Sequence, residues 1–493
     1  MSGPVDAAGL PSELGAFDIL MHRGEANPRT RSGIMALEVL DTTPDWEQFR
    51  ARFENASRKV LRLRQKVVMP TLPTAPARWV VDPDFNLDFH VRRVRVPQPG
   101  RLRDVLDLAE VLLQSPLDIS RPLWTATLVE GLQGGKAASL LHLSHAVTDG
   151  VGAIAMFAEI YDLERTPPAK PPAPIPVPED ITPNDLMREG VGHLPGMIAE
   201  GVLGAVSGGF SLLGRIVSSP GSAIFDAVDY VRSGRRVVRR AAEPSPLLRR
   251  RSLSTRTEAI EMKLGDLHRA AHAAEGSIND AYLAGLCGTL RLYHEALGLP
   301  INSLPMAVPV NIRADADPAG GNRFAGVNLA APIGVADPAT RIAKIRKQMI
   351  ARREEAAIDV LGAVAPLLTL LPDAILEALS SSVIASDVQA SNVPTYPGDT
   401  FLVGAKVLRQ YGLGPLPGVA MMAVLISRGG FATVTARYDR ASIAYPELFA
   451  QCFRQGFDEV LALAGDPQPR VYPASFPDDS ESSVPRKGSV AYS

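Results

Sequence analysis

Apolar positions along the chain fall into two spacings. Between residues 43 and 68, Trp46, Phe49, Phe53, Ala56 and Val60 recur every three or four positions, which lines one face of a helix. Thr43-Pro44 predicts its start, with Pro44 at the first helical position. Phe85, Leu87, Phe89 and Val91 then alternate with other residues, the spacing of a half-buried strand. A further helix is predicted around residues 103–114. Two short apolar runs, "LWTATLVEGL" and "AASLLHLS", flank Gln133-Gly134-Gly135-Lys136, a hairpin pattern. After Gly150, "VGAIAMFAEIY" is apolar on most sides, as a buried helix is.

The pattern breaks at Thr166. "TPPAKPPAPIPVPED" is proline-dense and holds neither a helix nor a central strand, so it reads as a surface strap or the start of a crossover. The Gly/Ser-punctuated stretch 196–231 is mostly apolar, and arginines follow at 232, 235, 236, 239 and 240. It is too broken to span a bilayer. Two uses fit it: contact with an anionic membrane surface, or a helix pair covered by its own protein. A second alternation of elements begins near Leu253. A strand, a helix, a stop at Gly276 and a long helix from near Asn279 are predicted. Strands at "LPMAVPVNIR" and "FAGVNLAAPIG" and a basic amphipathic helix at "ATRIAKIRKQMIARREEA" follow. Strands at "FLVGAKVLRQYGLGPL", "GVAMMAVLISRGG" and "FATVTARYD" and a last helix over 445–464 complete it. No solenoid period is present.

This order predicts four segments: an N-terminal lobe over 1–165, a crossover over 166–252, a C-terminal lobe over 253–466 and a disordered tail over 467–493. A length of 493 residues suits two lobes. The formal net charge of −2 gives no field that would favour nucleic acid. Cys287 and Cys452, the two cysteines, sit in apolar surroundings, which points to a reducing compartment rather than a disulfide framework. The first residues carry no basic segment followed by an apolar core, so no signal peptide is read. No run of about 18–20 apolar residues predicts a spanning helix.

Chemistry is concentrated in "LLHLSHAVTDGVG". An apolar strand ending at His145 and a turn closing at Gly150 would set the imidazole at a sheet edge, facing a cleft. Histidine serves as a general base near neutral pH. Asp149 can fix the loop by pairing with a distant cation, Arg313 being a candidate, or it can touch the ring directly. Gly150 permits a sharp turn or a close approach. On spacing alone, a histidine near an aspartate is more often structural. His90 and His142 lie on strand-like runs and read as satisfied buried histidines. His142 shares a face with Ser144, while His145 points the other way. Lys406 reads as a surface charge. No cysteine or carboxylate cluster has zinc-ligand spacing, so no metal is expected.

"SHAVTDG" resembles the H-H-x-x-x-D-G signature of the bacterial wax ester synthase/acyl-CoA:diacylglycerol acyltransferases. "FNLDFHVRRVRVPQPG", "SPLDISRPLWTATLVEGLQGG", "SINDAYLAG", "PVNIR" with Asn322 and Asn328 after it, "SNVPTYPG" and "FLVGAKV" follow in that family's order. The resemblance covers residues 15–465 and is weakest over 165–250. It departs at one position: the family's first histidine is Ser144 here, and its base, the second histidine, is His145.

The resemblance implies an α/β protein of α+β type with two chloramphenicol acetyltransferase-like lobes, each a mixed sheet with helices, and an active-site channel between them. His145 would be the general base and Asp149 the loop anchor, with Ser144, Gly150, Asn279 and Asp280 as supporting residues. Asn279 also reads as a helix cap. Pro122, Leu123, Trp124 and Asn392 are candidates for the substrate channel; Trp124 reads first as packing. Acyl-CoA would be a co-substrate, with no bound cofactor. The acceptor would be diacylglycerol or a fatty alcohol. The implied location is cytoplasmic, in peripheral contact with the inner face of the plasma membrane or with lipid droplets. Two rival readings stay open: the same fold acylating another lipid, sugar-lipid, polyketide or peptide, and a lipid-binding member without turnover, for which Ser144 is the support.

Overall fold

Two mixed β-sheets, each flanked by helices, organise the chain. The computed structural model describes residues 12–72, 75–147, 156–168, 171–199, 241–311, 324–355, 386–465 and 471–474. The N-terminal part contains helix α1 (Ala16–Gly24), strand β1 (Ile34–Leu40), helix α2 (Trp46–Lys59), strands β2 (Gln65–Val68), β3 (Arg78–Val81) and β4 (Val91–Arg95), helix α3 (Leu102–Gln114), and strands β5 (Trp124–Glu130) and β6 (Ala137–Leu143). Helix α4 (Pro183–Ala199) lies in the crossover. Beyond it come β7 (Thr255–Lys263), α5 (Leu264–Ala273), α6 (Ile278–Ala296), β8 (Leu304–Asn311), β9 (Phe324–Ala331) and α7 (Pro338–Glu355). Strands β10 (Val388–Pro394), β11 (Phe401–Leu402), β12 (Ala405–Leu413), β13 (Met421–Arg428) and β14 (Phe431–Asp439), helix α8 (Pro446–Leu461) and strand β15 (Tyr472–Pro473) complete the order.

The first sheet runs β11-β12-β1-β6-β5-β4 and the second β15-β7-β14-β13-β10-β8-β9. In the first, β4 is parallel to β5 and its other pairings are antiparallel. In the second, β10 is parallel to both β8 and β13. The hairpin β11–β12 comes from the chain's second half yet completes the first sheet, with β12 antiparallel to β1. A division of the chain at 253 therefore does not separate the sheets. Every second residue of β12 is buried, because the strand lies on the first sheet while Gly412 and Gly414 approach Val424, Ile426 and Met422 of β13.

Hydrophobic burial drives both layers. One face of the first sheet buries Leu40, Ala126, Leu128, Leu141 and Leu143 with Phe49 and Phe53 of α2. The other buries Leu37, Val39, Leu140 and Tyr411 with Val105, Ala109 and Leu113 of α3. The second sheet buries Met306, Ala390, Ala423, Leu425 and Val434 with α6 and α8. Those two helices pack closely where glycines remove side chains: a Cβ on Gly456 would lie 2.3 Å from the Thr289 amide nitrogen, and one on Gly285 would lie 2.7 Å from the Phe457 ring.

Several local expectations are corrected. Helix α2 starts after Asp45, whose carboxylate accepts the Gln48 N–H at 2.9 Å. Asp45 is therefore the cap and Pro44 lies outside the helix, because the carboxylate satisfies an otherwise orphaned amide. The helix stops at Lys59, and Gln65–Val68 pairs as a strand with Arg78–Val81. Leu87–His90 is one helical turn, capped by Asn86 onto the Asp88 amide; only Val91–Arg95 is strand. Tyr472 and Pro473 pair with β7 and Val471 is buried, so part of the expected tail joins the second sheet.

Candidate active site

Strand β6 is buried at every residue and pairs on both sides, with β1 and β5. It stops at Leu143, and the chain then turns at Ser144–Val147. The Ser144 amide donates to the Leu123 carbonyl at 3.0 Å, and the Val147 amide donates to the Ser144 carbonyl at 3.1 Å. His145 is thus carried on a turn at the end of a central strand, anchored to the Pro122-Leu123-Trp124 segment through the Ser144 backbone amide. The expected strand stops two residues early, at Leu143 rather than His145, and the expected close of the turn at Gly150 lies outside the described residues.

His145 is partly exposed as a residue, but its ring Nδ1 is buried. Loss of hydration around its imidazole pushes its pKa down to about 4, because burial disfavours the charged ring. The ring is therefore neutral at physiological pH and able to accept a proton. Asp149 and Gly150 lie outside the described residues, as do Arg313 and Asn322.

Ser144 is fully buried, and its side chain faces α1 rather than solvent. Its hydroxyl donates to Glu25 Oε1 at 2.8 Å, and the Ser32 hydroxyl donates to the same oxygen at 2.7 Å. Glu25 has no exposed surface. Burial raises its carboxyl pKa against the opposing hydrogen bonds from Ser32 and Ser144 and the charge of Arg31. Arg31 donates from Nε to the Glu25 carbonyl at 3.1 Å. Glu25 Oε2 has no hydrogen-bond partner among the described residues. His22, on the same helix, is buried with its pKa pushed down to about 4.

Leu123 and Trp124 have no exposed surface. The Trp124 indole N–H donates to the Leu63 carbonyl at 2.8 Å, and its ring stacks on His90 at 4.7 Å and on Phe53 at 6.0 Å. This is the packing role. His90 Nδ1 lies 2.7 Å from the Trp124 carbonyl, which fixes the proton on that nitrogen, since a carbonyl only accepts. Neither histidine reaches the expected satisfied state: His90 Nε2 is buried without a partner among the described residues, and for buried His142, burial with nearby Arg437 and Arg31 pushes the pKa to about 3 while its Nε2 likewise has no partner there. A Cβ on Gly33 would meet that nitrogen at 2.7 Å, so glycine is what lets β1 begin beside it.

The cap of α6 is Ser277, not Asn279. Ser277 accepts the Asp280 amide at 3.2 Å, and Asp280 Oδ2 accepts the Ser277 amide at 2.9 Å. Ser277 is the last residue with extended backbone, so its hydroxyl reaches the free amides; Asn279 is already inside the first turn. Asp280 is buried in this box and lies 3.8 Å from Arg346. Asn392 is exposed on β10, opposite Leu425. Lys406 pairs with Asp399 at 3.0 Å. Cys287 is buried, which pushes its thiol to about 12; a thiol that stays protonated is a poor nucleophile. Among the described residues no group of three His, Cys, Asp or Glu side chains is placed to hold a metal ion.

Sequence reasoning missed Glu25 and Ser32. A glutamate at the end of a short helix, in "MHRGEANPRTRSG", has the look of a solvated residue, and nothing in the periodicity brings it to Ser144. It also missed a polar seam between the sheets. Arg437 of β14 donates from Nε to both carboxylate oxygens of Glu110 at 3.2 Å, and Thr255 and Thr257 also donate to Glu110. Arg409 of β12 donates to Glu261 of β7 at 2.9 Å. Glu38 was passed over as well, although it is the one charge in the apolar run "IMALEVL"; it accepts the Tyr161 hydroxyl at 2.6 Å.

Comparison with known proteins matches residues 3–282 to the wax ester synthase/diacylglycerol acyltransferase catalytic domain and residues 320–460 to the C-terminal domain of the same proteins. A Mycobacterium tuberculosis protein named as a diacylglycerol O-acyltransferase is 70% identical over 477 residues, covering 97% of each chain. A second one from that organism is 30% identical over 74% of this chain and 80% of its own. Among solved structures, the wax ester synthase/diacylglycerol acyltransferase from Marinobacter aquaeolei VT8 superposes with a TM-score of 0.63 at 19% identity, covering 92% of this chain and all 100% of that one. The first condensation domain of the calcium-dependent antibiotic synthetase gives 0.56 at 13% identity, over 92% and 96% of the two chains. The two-lobed fold is therefore common to all three.

Proposed function

The chain belongs to the wax ester synthase/diacylglycerol acyltransferase family, and from that premise we propose that it transfers a long-chain acyl group from acyl-CoA to the hydroxyl of diacylglycerol, and also to that of a fatty alcohol. The observation that carries this reading is the His145 turn inside the matched catalytic domain, with a neutral imidazole at the end of a central strand. His145 takes the proton of the acceptor hydroxyl as its oxygen attacks the thioester carbonyl. A C–O bond forms, the carbonyl becomes an oxyanion, and collapse breaks the C–S bond. The CoA thiolate leaves, and the imidazolium returns the proton to it. Acyl-CoA is a co-substrate in this scheme and no bound cofactor is required. The protonated, buried Cys287 thiol supports direct transfer over a covalent acyl-cysteine at that position.

Substitution of the family's first histidine by Ser144 does not favour a member without turnover, because Ser144 is built into the support of the turn. A diacylglycerol acceptor resides in a membrane. Peripheral contact with the inner face of the plasma membrane or with lipid droplets suits it, and the 196–240 stretch, of which residues 200–240 lie outside the described residues, is the segment proposed for that contact. No helix among the described residues is long and apolar enough to cross a membrane.

The test is product identity. Purified protein given labelled palmitoyl-CoA with dioleoylglycerol or hexadecanol is expected to yield triacylglycerol and wax ester on thin-layer chromatography. Acyl transfer to neither acceptor, while a sugar-lipid or polyketide alcohol is acylated, would overturn the acceptor assignment.

A further inference from the structure

Position 144 is where this chain departs from the family signature, and α1 stands behind it. The Ser144 hydroxyl has one proton and two lone pairs. The proton goes to Glu25 Oε1 at 2.8 Å. A lone pair accepts the Ala146 amide at 3.3 Å, and the Ser144 carbonyl accepts the Val147 amide at 3.1 Å. Ser144 is also fixed from behind, where its backbone N–H donates a hydrogen bond to the Leu123 carbonyl. His145 therefore sits between groups that all depend on the orientation of Ser144, and Glu25 sets the direction of that hydroxyl.

We infer that Glu25 is a positioning residue for the general base: through Ser144 it holds the turn that carries His145, and Ser144 serves this tether rather than the proton transfer. The inference rests on the reading of His145 as the base. A carboxyl with no exposed surface is costly to bury, and an apolar side chain would occupy the space more cheaply. Two serine hydroxyls from separate segments converge on its Oε1, and Arg31 secures its backbone. The charge of Glu25 is not among the causes of the lowered His145 pKa, which is burial alone. The tether thus works by geometry. Burial also raises the Glu25 carboxyl pKa, so a neutral acceptor of the same shape should replace it.

Full-length Glu25→Leu, Glu25→Gln, Ser144→Ala and the Ser144→Ala/Glu25→Leu double variant would be compared per folded protein, with folding checked by thermal melts. Glu25→Leu and Ser144→Ala should each lower kcat about tenfold or more while KM stays within about twofold. Glu25→Gln should keep kcat within about threefold. The double variant should lose no more than the worse single one, since both changes cut one connection. The His145 ring resonances, followed by NMR without turnover, should move in Glu25→Leu and Ser144→Ala and return in Glu25→Gln. Unchanged kcat and His145 resonances in Glu25→Leu, or losses that multiply in the double variant, would overturn the inference. His145→Ala run alongside separates the two claims. If it abolishes transfer while Glu25→Leu does not, only the tether falls; if it transfers normally, the base assignment falls and the tether with it.

Discussion

In the proposed reaction His145 acts as a neutral imidazole. Its pKa is pushed down to about 4 by burial, against about 6.5 for an unperturbed histidine. The proton-accepting form is the deprotonated ring, so activity is lost as pH falls through the folded pKa. We expect kcat/KM to stay flat from pH 8 to about 5.5 and to halve near pH 4; a half-loss between 6 and 7 would mean that the imidazole is hydrated. The motif that points to this residue was readable because Ser144-His145 and Asp149-Gly150 are close in sequence. Glu25 was not readable, because it meets Ser144 across 119 positions and no local pattern encodes that meeting. Asn279 was misread as a cap for a narrower reason. Ser277 and Asp280 form a serine-to-acid capping box spaced by three, a pattern that is visible in "SIND" once Gly276 is taken as the stop.

At the scale of elements, apolar spacing carried the reading wherever one face of a helix or strand is buried. Helices α3, α7 and α8 and strands β5, β6, β13 and β14 lie where their periodicity places them, whereas the single strand expected over 401–416 is the hairpin β11–β12, turned at Val403-Gly404. It failed where polar caps override it. Asn86 turns "NLDFH" into a helical turn although Phe85, Leu87 and Phe89 alternate as in a strand. The sequence of α2 stays amphipathic past Lys59, but the chain bends there and pairs as β2. Glycines in α6 and α8 carry a sharper prediction. Ala at 456 would gain about 1 kcal/mol of helix propensity, yet its Cβ would sit 2.3 Å from the Thr289 backbone nitrogen, and backbone cannot yield. Strain of about 1–3 kcal/mol wins. Gly456→Ala should therefore lower the melting temperature. Gly192→Ala, in α4 with open space around the new Cβ, should not.

Across the whole molecule, the two sheets meet through apolar side chains crossed by buried ion pairs. Glu110 and Arg437 are each less than one-tenth exposed, and they join α3 to β14. Such a pair adds little over an apolar contact, but removing one partner strands the other. Glu110→Ala should cost about 3–5 kcal/mol in chemical denaturation, because among the described residues Arg437 keeps only its bonds to the Gly414 carbonyl and Thr255 hydroxyl. A loss below about 1 kcal/mol would show that water reaches the seam. The two-lobed arrangement was legible from the repeated order of strands and helices on either side of the proline-rich stretch. The crossing of β11–β12 into the first sheet was not, since alternation in "AKVLRQYGL" states that a strand is half-buried and not which sheet receives it.

The central claim is that a neutral imidazole at position 145 moves the acceptor's proton. The most direct test is thiol release from palmitoyl-CoA in the presence of dioleoylglycerol at pH 7, by wild type and His145→Ala, each shown to be folded by its thermal melt. A general base contributes about 100-fold to 10,000-fold, so the variant should fall at least about 100-fold in kcat with little change in KM. A folded His145→Ala protein within twofold of wild type would contradict the account.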